Sequence, residues 1–309
     1  MGLVAAPSGA KSLYSVPKYA AFVVNADSGE ILYARQPDAP RYPASITKVM
    51  TLYLAFDALA KGRLTQNDLI TISAHAASQA PSKLGLKVGA TISVRDAIGV
   101  IATRSANDIA VALAEHIGGS EDAYCAMMTA RAHAMGMRNS TFVNATGLPD
   151  KRQLTTARDI ATLSRAVIKD FPQFYGVFSK VAYDYEGQEI GNHNHLLSTL
   201  PGVDGIKTGF TNAAGFTLAA SAAHDGVRLI AVVLGGPNRM ARDGNVTDLL
   251  DTSFDVLTRR SRGETTTVAQ NLFEIDDLSD GVLERLTEQG SGDDNSLAVG
   301  SPQAHAPRR

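Results

Sequence analysis

A helix-rich stretch, residues 65–170, stands between two β-rich ones, and this order constrains the fold more than any other feature of the chain. Residues 19–25 are β-rich, Ala26-Asp27-Ser28-Gly29 has turn chemistry, and residues 30–35 resume as a strand, which makes a hairpin. Residues 178–236 read as β again. Residues 181–185 and 188–191 form a hairpin around Gly187, and three longer strands follow at 205–209, 216–222 and 227–234. Asp225-Gly226 is a hairpin turn between the last two. A closing helix is expected from about Asp243 to Arg259. Strands on either side of a helical insert predict an α+β chain, a sheet domain with a helical subdomain beside it.

The helical insert has its own punctuation. Ser93-Val94-Arg95-Asp96 resembles a capping box and opens a helix that stops at Thr103-Arg104-Ser105-Ala106-Asn107. A second helix runs from Asp108 to Gly118-Gly119, and a third from Ser120 to Gly136. Thr156 caps a fourth, which passes through Ile168. Short strand-like segments interrupt the insert at 69–72 and near Thr91.

Between the first hairpin and this insert lies Pro43-Ala44-Ser45-Ile46-Thr47-Lys48, followed by an apolar run that predicts a core helix. Residues three apart on a helix share a face, so Lys48 stands over Ser45. A hydroxyl beside an amine at the positive end of a helix is an activated nucleophile in outline. The Ser-x-x-Lys pattern alone says little, for it recurs at Ser8–Lys11 and Ser15–Lys18. Those copies lie in a segment without helical periodicity. A capping serine with a solvated lysine one turn on explains the Ser45 copy equally well.

Two further pieces decide between these readings: Ser105-Ala106-Asn107 between two predicted helices, and Lys207-Thr208-Gly209 on a predicted strand. Three fixed residues recur by chance about once in several thousand positions. Ser-x-x-Lys, Ser-x-Asn and Lys-Thr-Gly in this order form the signature of penicillin-binding proteins and class A β-lactamases.

From residue 18 to about 260 the chain resembles the serine D-alanyl-D-alanine carboxypeptidases, which are low-molecular-mass penicillin-binding proteins. Besides the three motifs, the likeness includes Asn144-Ala145-Thr146-Gly147-Leu148, the Asn192–Leu197 stretch, Val203-Asp204-Gly205-Ile206 before Lys207, and Gly235-Gly236. It implies a β-lactamase/transpeptidase-like sandwich, an antiparallel sheet covered by helices, with the active site in the cleft beside the helical subdomain. It also implies a division into a carboxypeptidase domain, 18–262, and a tail, 263–309. The tail is expected to include a short amphipathic helix at 276–287 and a disordered last twenty residues.

Roles follow from chemistry, with the resemblance behind them. Ser45 is the nucleophile and Lys48 takes its proton. An ordinary lysine is neutral about once in a few thousand at pH 7, so burial and a second cation, Lys207, must lower its pKa. Ser105 relays a proton to the leaving amine. Asn107 positions the substrate amide and Lys48. Backbone N–H groups of Ser45 and Phe210, past Gly209, receive the oxyanion. Lys207, Thr208 and Arg242 bind a terminal carboxylate, Arg242 by its spacing after Gly235-Gly236, with a surface arginine as the alternative. The expected partners are a peptidoglycan stem peptide ending in D-Ala-D-Ala and, as covalent inhibitors, β-lactams. No cofactor and no metal are expected.

Composition narrows the alternatives. A net charge of −2 gives no footprint for nucleic acid. Cys125 is the single cysteine, so no internal disulfide forms. No apolar run reaches membrane-spanning length, so membrane association is not encoded in this chain. The family works outside the cytoplasm, in the periplasm or its equivalent, yet the first residues lack a basic and apolar leader, which raises the expectation of a truncated start. His193 and His195 alternate as a metal pair does on a strand, but no third ligand accompanies them. The sequons at Asn139 and Asn144 are too common a pattern to carry meaning. Two departures stand out. Phe210 occupies a position where many members have histidine. The 47 residues after Arg262 are too few for a β-rich domain plus a membrane anchor. Other readings are a D-alanyl endopeptidase acting on cross-links, a penicillin-sensing or wall-binding module without turnover, and a β-lactamase. The last is disfavoured, for no Glu-x-x-Leu-Asn-like segment lies between Ser105 and Lys207.

Overall fold

The computed structural model describes residues 18–272. Strands β1 (Ala20–Asn25) and β2 (Ile31–Arg35) form the first hairpin, and a 3-10 turn (Ala44–Ile46) leads into helix α1 (Thr47–Ala60). Short strands β3 (Leu69–Thr71) and β4 (Thr91–Ser93) pair around the single turn α2 (Ala74–Ala77). Helices α3 (Val94–Thr103), α4 (Asn107–Gly118), α5 (Glu121–Ala134), α6 (Ala157–Asp170) and α7 (Pro172–Tyr175) follow. A separate hairpin, β5 (Ala182–Tyr185) and β6 (Gln188–Gly191), leads through the single turn α8 (Leu196–Thr199) to the long strands. These are β7 (Val203–Thr211), β8 (Gly215–His224) and β9 (Val227–Gly236), and helices α9 (Arg239–Ser261) and α10 (Val268–Asn271) end the described chain.

The five-stranded sheet runs in the order β2-β1-β9-β8-β7, and every neighbouring pair is antiparallel. Both its faces are covered, and the two-residue period of a strand sorts the core between them. Ala20, Phe22 and Val24 of β1 join Ile230, Val232 and Leu234 of β9 on the face packed against α6, in one core with α1. Ala21 and Val23 join Leu229, Ala231 and Val233 on the face packed against Val246, Leu249 and Leu250 of α9. An antiparallel sheet with helices on both faces is an α+β sandwich, as the order of the elements predicts.

Helix α1 is buried without a break from Thr47 to Ala58. A helix with no polar face belongs in the centre of a fold, and this one lies between the sheet and the helical part. Caps open α3, α5 and α6: the side chains of Ser93, Ser120 and Thr156 each accept a hydrogen bond from the backbone N–H three residues on. Asp225 and Gly226 have φ of 50° and 77°, the left-handed pair a two-residue hairpin turn requires.

Three details differ from the sequence expectation. The closing helix begins at Arg239 rather than Asp243, because the Asn238 side chain accepts from Ala241 N and caps it there. His193 and His195 are not on a strand. β6 ends at Gly191, and the Asn192 side chain accepts from Asn194 N and turns the chain toward α8. Packed structure also passes Arg262: Thr267 caps α10, and Val268 is fully buried with the α9 core, so the compact unit ends at Leu272. The expected leader question, the Ser8 and Ser15 motif copies, the 276–287 helix and the terminal twenty residues lie outside the described residues. No helix among the described residues is long and apolar enough to cross a membrane.

Candidate active site

Ser45 lies in the 3-10 turn before α1 and is the only partly exposed residue between Pro43 and Met50. Ala44 before it holds a φ of 48° and Ser105 a φ of 63°. A non-glycine residue in that region costs on the order of 1–3 kcal/mol, and two such residues mark the site as over-determined by its surroundings. Gly209 on β7 passes directly beside the turn. A Cβ there would lie 2.8 Å from the Ser45 nitrogen and 2.7 Å from Thr217 Oγ1, so only glycine leaves this backbone N–H accessible.

Lys48 is fully buried one turn into the site. Its Nζ lies 3.1 Å from Ser45 Oγ, 2.7 Å from Asn107 Oδ1 and 2.6 Å from the Thr146 carbonyl oxygen. Burial, and then the charge of Lys207, hold its pKa well below the ordinary lysine value, while Asp108 acts in the opposite direction. A neutral amine has two N–H bonds and one lone pair. Amide and carbonyl oxygens only accept, so the N–H bonds go to Asn107 and Thr146 and the lone pair is left for the Ser45 hydroxyl.

Asn107 reaches Lys48 from the start of α4 and is held in turn. Its Nδ2 donates to Ala80 O (2.8 Å) and its backbone N–H to Ser82 O (2.7 Å). The neighbouring Asp108 carboxylate accepts from the N–H groups of Leu84, Gly85 and Ile109, which ties down the same loop. Ser105 is buried, and its Oγ has no hydrogen-bond partner among the described residues.

On the other side stands β7, the edge strand of the sheet. Lys207 is 1% exposed, and among the described residues its Nζ donates to the Thr208 carbonyl alone, at 3.2 Å. Burial and then the charge of Arg242 bring its pKa down to about 7. Arg242 is not the surface arginine that its helix position allowed. It is 3% exposed, with Nε on Asp243 (2.6 Å) and Nη1 on the Thr217 carbonyl of β8 (2.7 Å). Thr208 is buried, whereas Phe210 is 51% exposed and packs on Phe216 with ring centres 4.3 Å apart. His193 is solvent-exposed, yet the protein around it and then the charges of Lys207 and Arg104 hold its imidazole down to about 4. Among the described residues no group of three His, Cys, Asp or Glu side chains is placed to hold a metal.

Loop 144–148, which has no assigned role in the sequence reading, supplies the Thr146 carbonyl. Asn144 Oδ1 accepts from Thr146 N, Gly147 N and Thr146 Oγ1 and folds the loop into an Asx turn. The readable signal was the Asn-x-Thr-Gly pattern, and Gly147 has the positive φ, 84°, that such a turn requires.

Residues 8–238 match the family model described as D-alanyl-D-alanine carboxypeptidase. The chain belongs to the D-alanyl-D-alanine carboxypeptidase family. A family relative, D-alanyl-D-alanine carboxypeptidase DacF of Bacillus subtilis, is 35% identical over 238 residues, covering 76% of this chain and 61% of its own. The chain spans about three fifths of the length of the curated carboxypeptidases it matches first. Penicillin binding protein 5 from Haemophilus influenzae superposes with a TM-score of 0.74 at 35% identity, over 76% of this chain and 70% of that one. Penicillin-Binding Protein D2 from Listeria monocytogenes, solved in its cefotaxime-bound form, gives a TM-score of 0.70 at 31% identity, over 76% of this chain and 96% of that one. The carboxypeptidase family therefore accounts for both the motif order and the sandwich.

Proposed function

We propose that this chain is a serine D-alanyl-D-alanine carboxypeptidase that removes the terminal D-Ala from peptidoglycan stem peptides through an acyl-enzyme on Ser45. The observation that carries this reading is the arrangement of Lys48, whose two carbonyl acceptors leave its lone pair for the Ser45 hydroxyl.

The steps follow from the geometry. Ser45 Oγ attacks the carbonyl carbon of the penultimate D-Ala as its proton passes to Lys48 Nζ. The carbonyl oxygen becomes an oxyanion, received by the N–H groups of Ser45 and Phe210, with Gly209 leaving the first of them uncovered. Ser105 Oγ, free of other partners among the described residues, passes a proton from Lys48 to the leaving nitrogen as the C–N bond breaks. Water then cleaves the ester, with Lys48 again taking a proton, and Ser45 is restored. Lys207, Thr208 and Arg242 form the end of the site that accepts the terminal carboxylate. A β-lactam acylates Ser45 by the same attack, in keeping with the cefotaxime-bound form of the Listeria relative. Since the substrate is in the wall, the protein works outside the cytoplasmic membrane.

The test is product analysis with a stem pentapeptide and with a cross-linked dimer, beside labelling by a fluorescent penicillin. Release of free D-Ala from the pentapeptide, with label on Ser45 and none in Ser45→Ala, is expected. Cleavage of the dimer alone makes the protein an endopeptidase. Labelling without either product makes it a penicillin sensor, and rapid release of hydrolysed penicillin makes it a β-lactamase.

A further inference from the structure

Gln153 is 1% exposed, and its side-chain amide makes all four hydrogen bonds open to it. Oε1 accepts from the backbone N–H groups of Val143 (2.8 Å) and Asn144 (3.0 Å). Nε2 donates to Thr47 Oγ1 (3.1 Å) and to Asn144 Oδ1 (3.0 Å). The amide orientation is fixed by its partners. Two backbone donors require the oxygen on one side. On the other, Asn144 Oδ1 already accepts from the Asx turn and requires the nitrogen.

These four bonds join two places that matter to Lys48. Thr47 is the residue directly before it on α1. Asn144 is the residue whose side chain folds the turn that presents the Thr146 carbonyl to Lys48 Nζ. A second tie lies one turn along α1, where Thr51 Oγ1 donates to the Ala145 carbonyl at 2.8 Å. Helix and loop are thus fastened on both sides of the lysine.

We infer that Gln153 is a positioning residue for the general base, holding the Thr146 carbonyl against Lys48 so that the amine's lone pair stays on Ser45. The inference rests on the reading above that Lys48 takes the Ser45 proton. A primary amine turns freely about its last bond, and one carbonyl acceptor does not fix it, whereas two do. The Thr146 carbonyl also favours the ammonium formed when the proton arrives. Releasing that carbonyl therefore both misdirects the lone pair and lowers the basicity of Lys48. Nothing about Gln153 reaches the substrate, so the half-saturating concentration of an acylating agent is left as it was.

The experiment is the acylation rate of the whole chain by a fluorescent penicillin, measured as a function of penicillin concentration and pH. Gln153→Met keeps the side-chain length and removes all four bonds. Its limiting acylation rate should fall about tenfold or more. The acid limb of its profile should move to lower pH, and its half-saturating concentration should stay. Thr47→Val removes only the tie to α1, and a smaller change of the same sign is expected, reversed in Thr47→Ser. A folded Gln153→Met with the wild-type limb and a rate within about twofold of wild type overturns the inference. Should Gln153→Met fail to fold, Thr47→Val decides: a limb and rate like wild type overturn the inference, and a shift that Thr47→Ser reverses supports it. No labelling of the wild type would overturn the parent reading and this inference with it.

Discussion

Gly147 packs against Ala44 so closely that a Cβ on it would stand 1.8 Å from the Ala44 carbonyl oxygen. The two residues lie on either side of the site's key contacts, Ala44 beside Ser45 and Gly147 after the carbonyl that holds Lys48. Gly147→Ala must therefore move one of the two chains, and it also meets a φ of 84°. The left-handed conformation alone costs about 1–2 kcal/mol. A lower melting temperature, together with acylation slowed more than unfolding explains, is the expected outcome. Native-like acylation would show that the loop gives way without disturbing the site.

Lys48→Arg should be as inactive as Lys48→Ala. A guanidinium is charged throughout the accessible pH range and has no lone pair to offer. Lys48→Ala should cost little stability, because burial already disfavours the charged lysine, whereas Lys48→Arg buries a permanent charge and should lower the melting temperature. Fluorescent-penicillin labelling and thermal unfolding of both variants check this, and near-normal acylation in the arginine variant would remove Lys48 from the role of base.

Stability should rise with pH on account of Lys207. Its pKa is about 7 in the fold and returns to the ordinary lysine value on unfolding. Between those values the unfolded chain binds more protons, so raising the pH favours the fold. From pH 7 to 9 the gain is about 2 kcal/mol, and Lys48 adds to it in the same direction. Denaturant titrations at the two pH values should show this slope for the wild type and a smaller one for Lys207→Met. Binding a carboxylate beside Lys207 favours its charged form, so calorimetry near pH 7.5 in two buffers should detect proton uptake.

A carboxypeptidase must distinguish a chain end from an internal bond. Amidating the terminal D-Ala should depress kcat/KM, by roughly ten- to a hundredfold if one charge-assisted contact is lost. Arg242→Ala should weaken the acid substrate and leave the amide almost unchanged. Because Arg242 also braces Asp243 and the Thr217 carbonyl, the comparison between substrates separates charge recognition from damage to the site. Equal losses on both would make the arginine structural.

Much of the fold and of the site is legible in the sequence. The turn at Asp225-Gly226, the caps at Ser93, Ser120 and Thr156, and the three motifs are local patterns, and local patterns are what a sequence displays. Ser45, Lys48 and Asn107 could be singled out because their side chains are the fixed positions of short motifs. Thr146 could not, since what it contributes is a carbonyl group that every residue possesses. Gln153 was silent for a related reason. Its four partners are scattered from Thr47 to Asn144, and no spacing announces them. His193 and His195 alternate like strand residues, but the Asn192 side chain accepts a hydrogen bond from Asn194 N and makes a turn there.

The register of the central strands has a kinetic side. Ala20 pairs with Leu234, so the first strand of the sheet waits for the last. Contacts so distant along the chain make folding slow, on a scale of milliseconds to seconds or longer. Until β9 is synthesised and docked between β1 and β8, both of those strands keep a bare edge, and bare edges invite pairing with other molecules. A chain cut before Val227 should therefore aggregate rather than label with penicillin, even though Ser45, Lys48, Ser105 and Lys207 are all present in it.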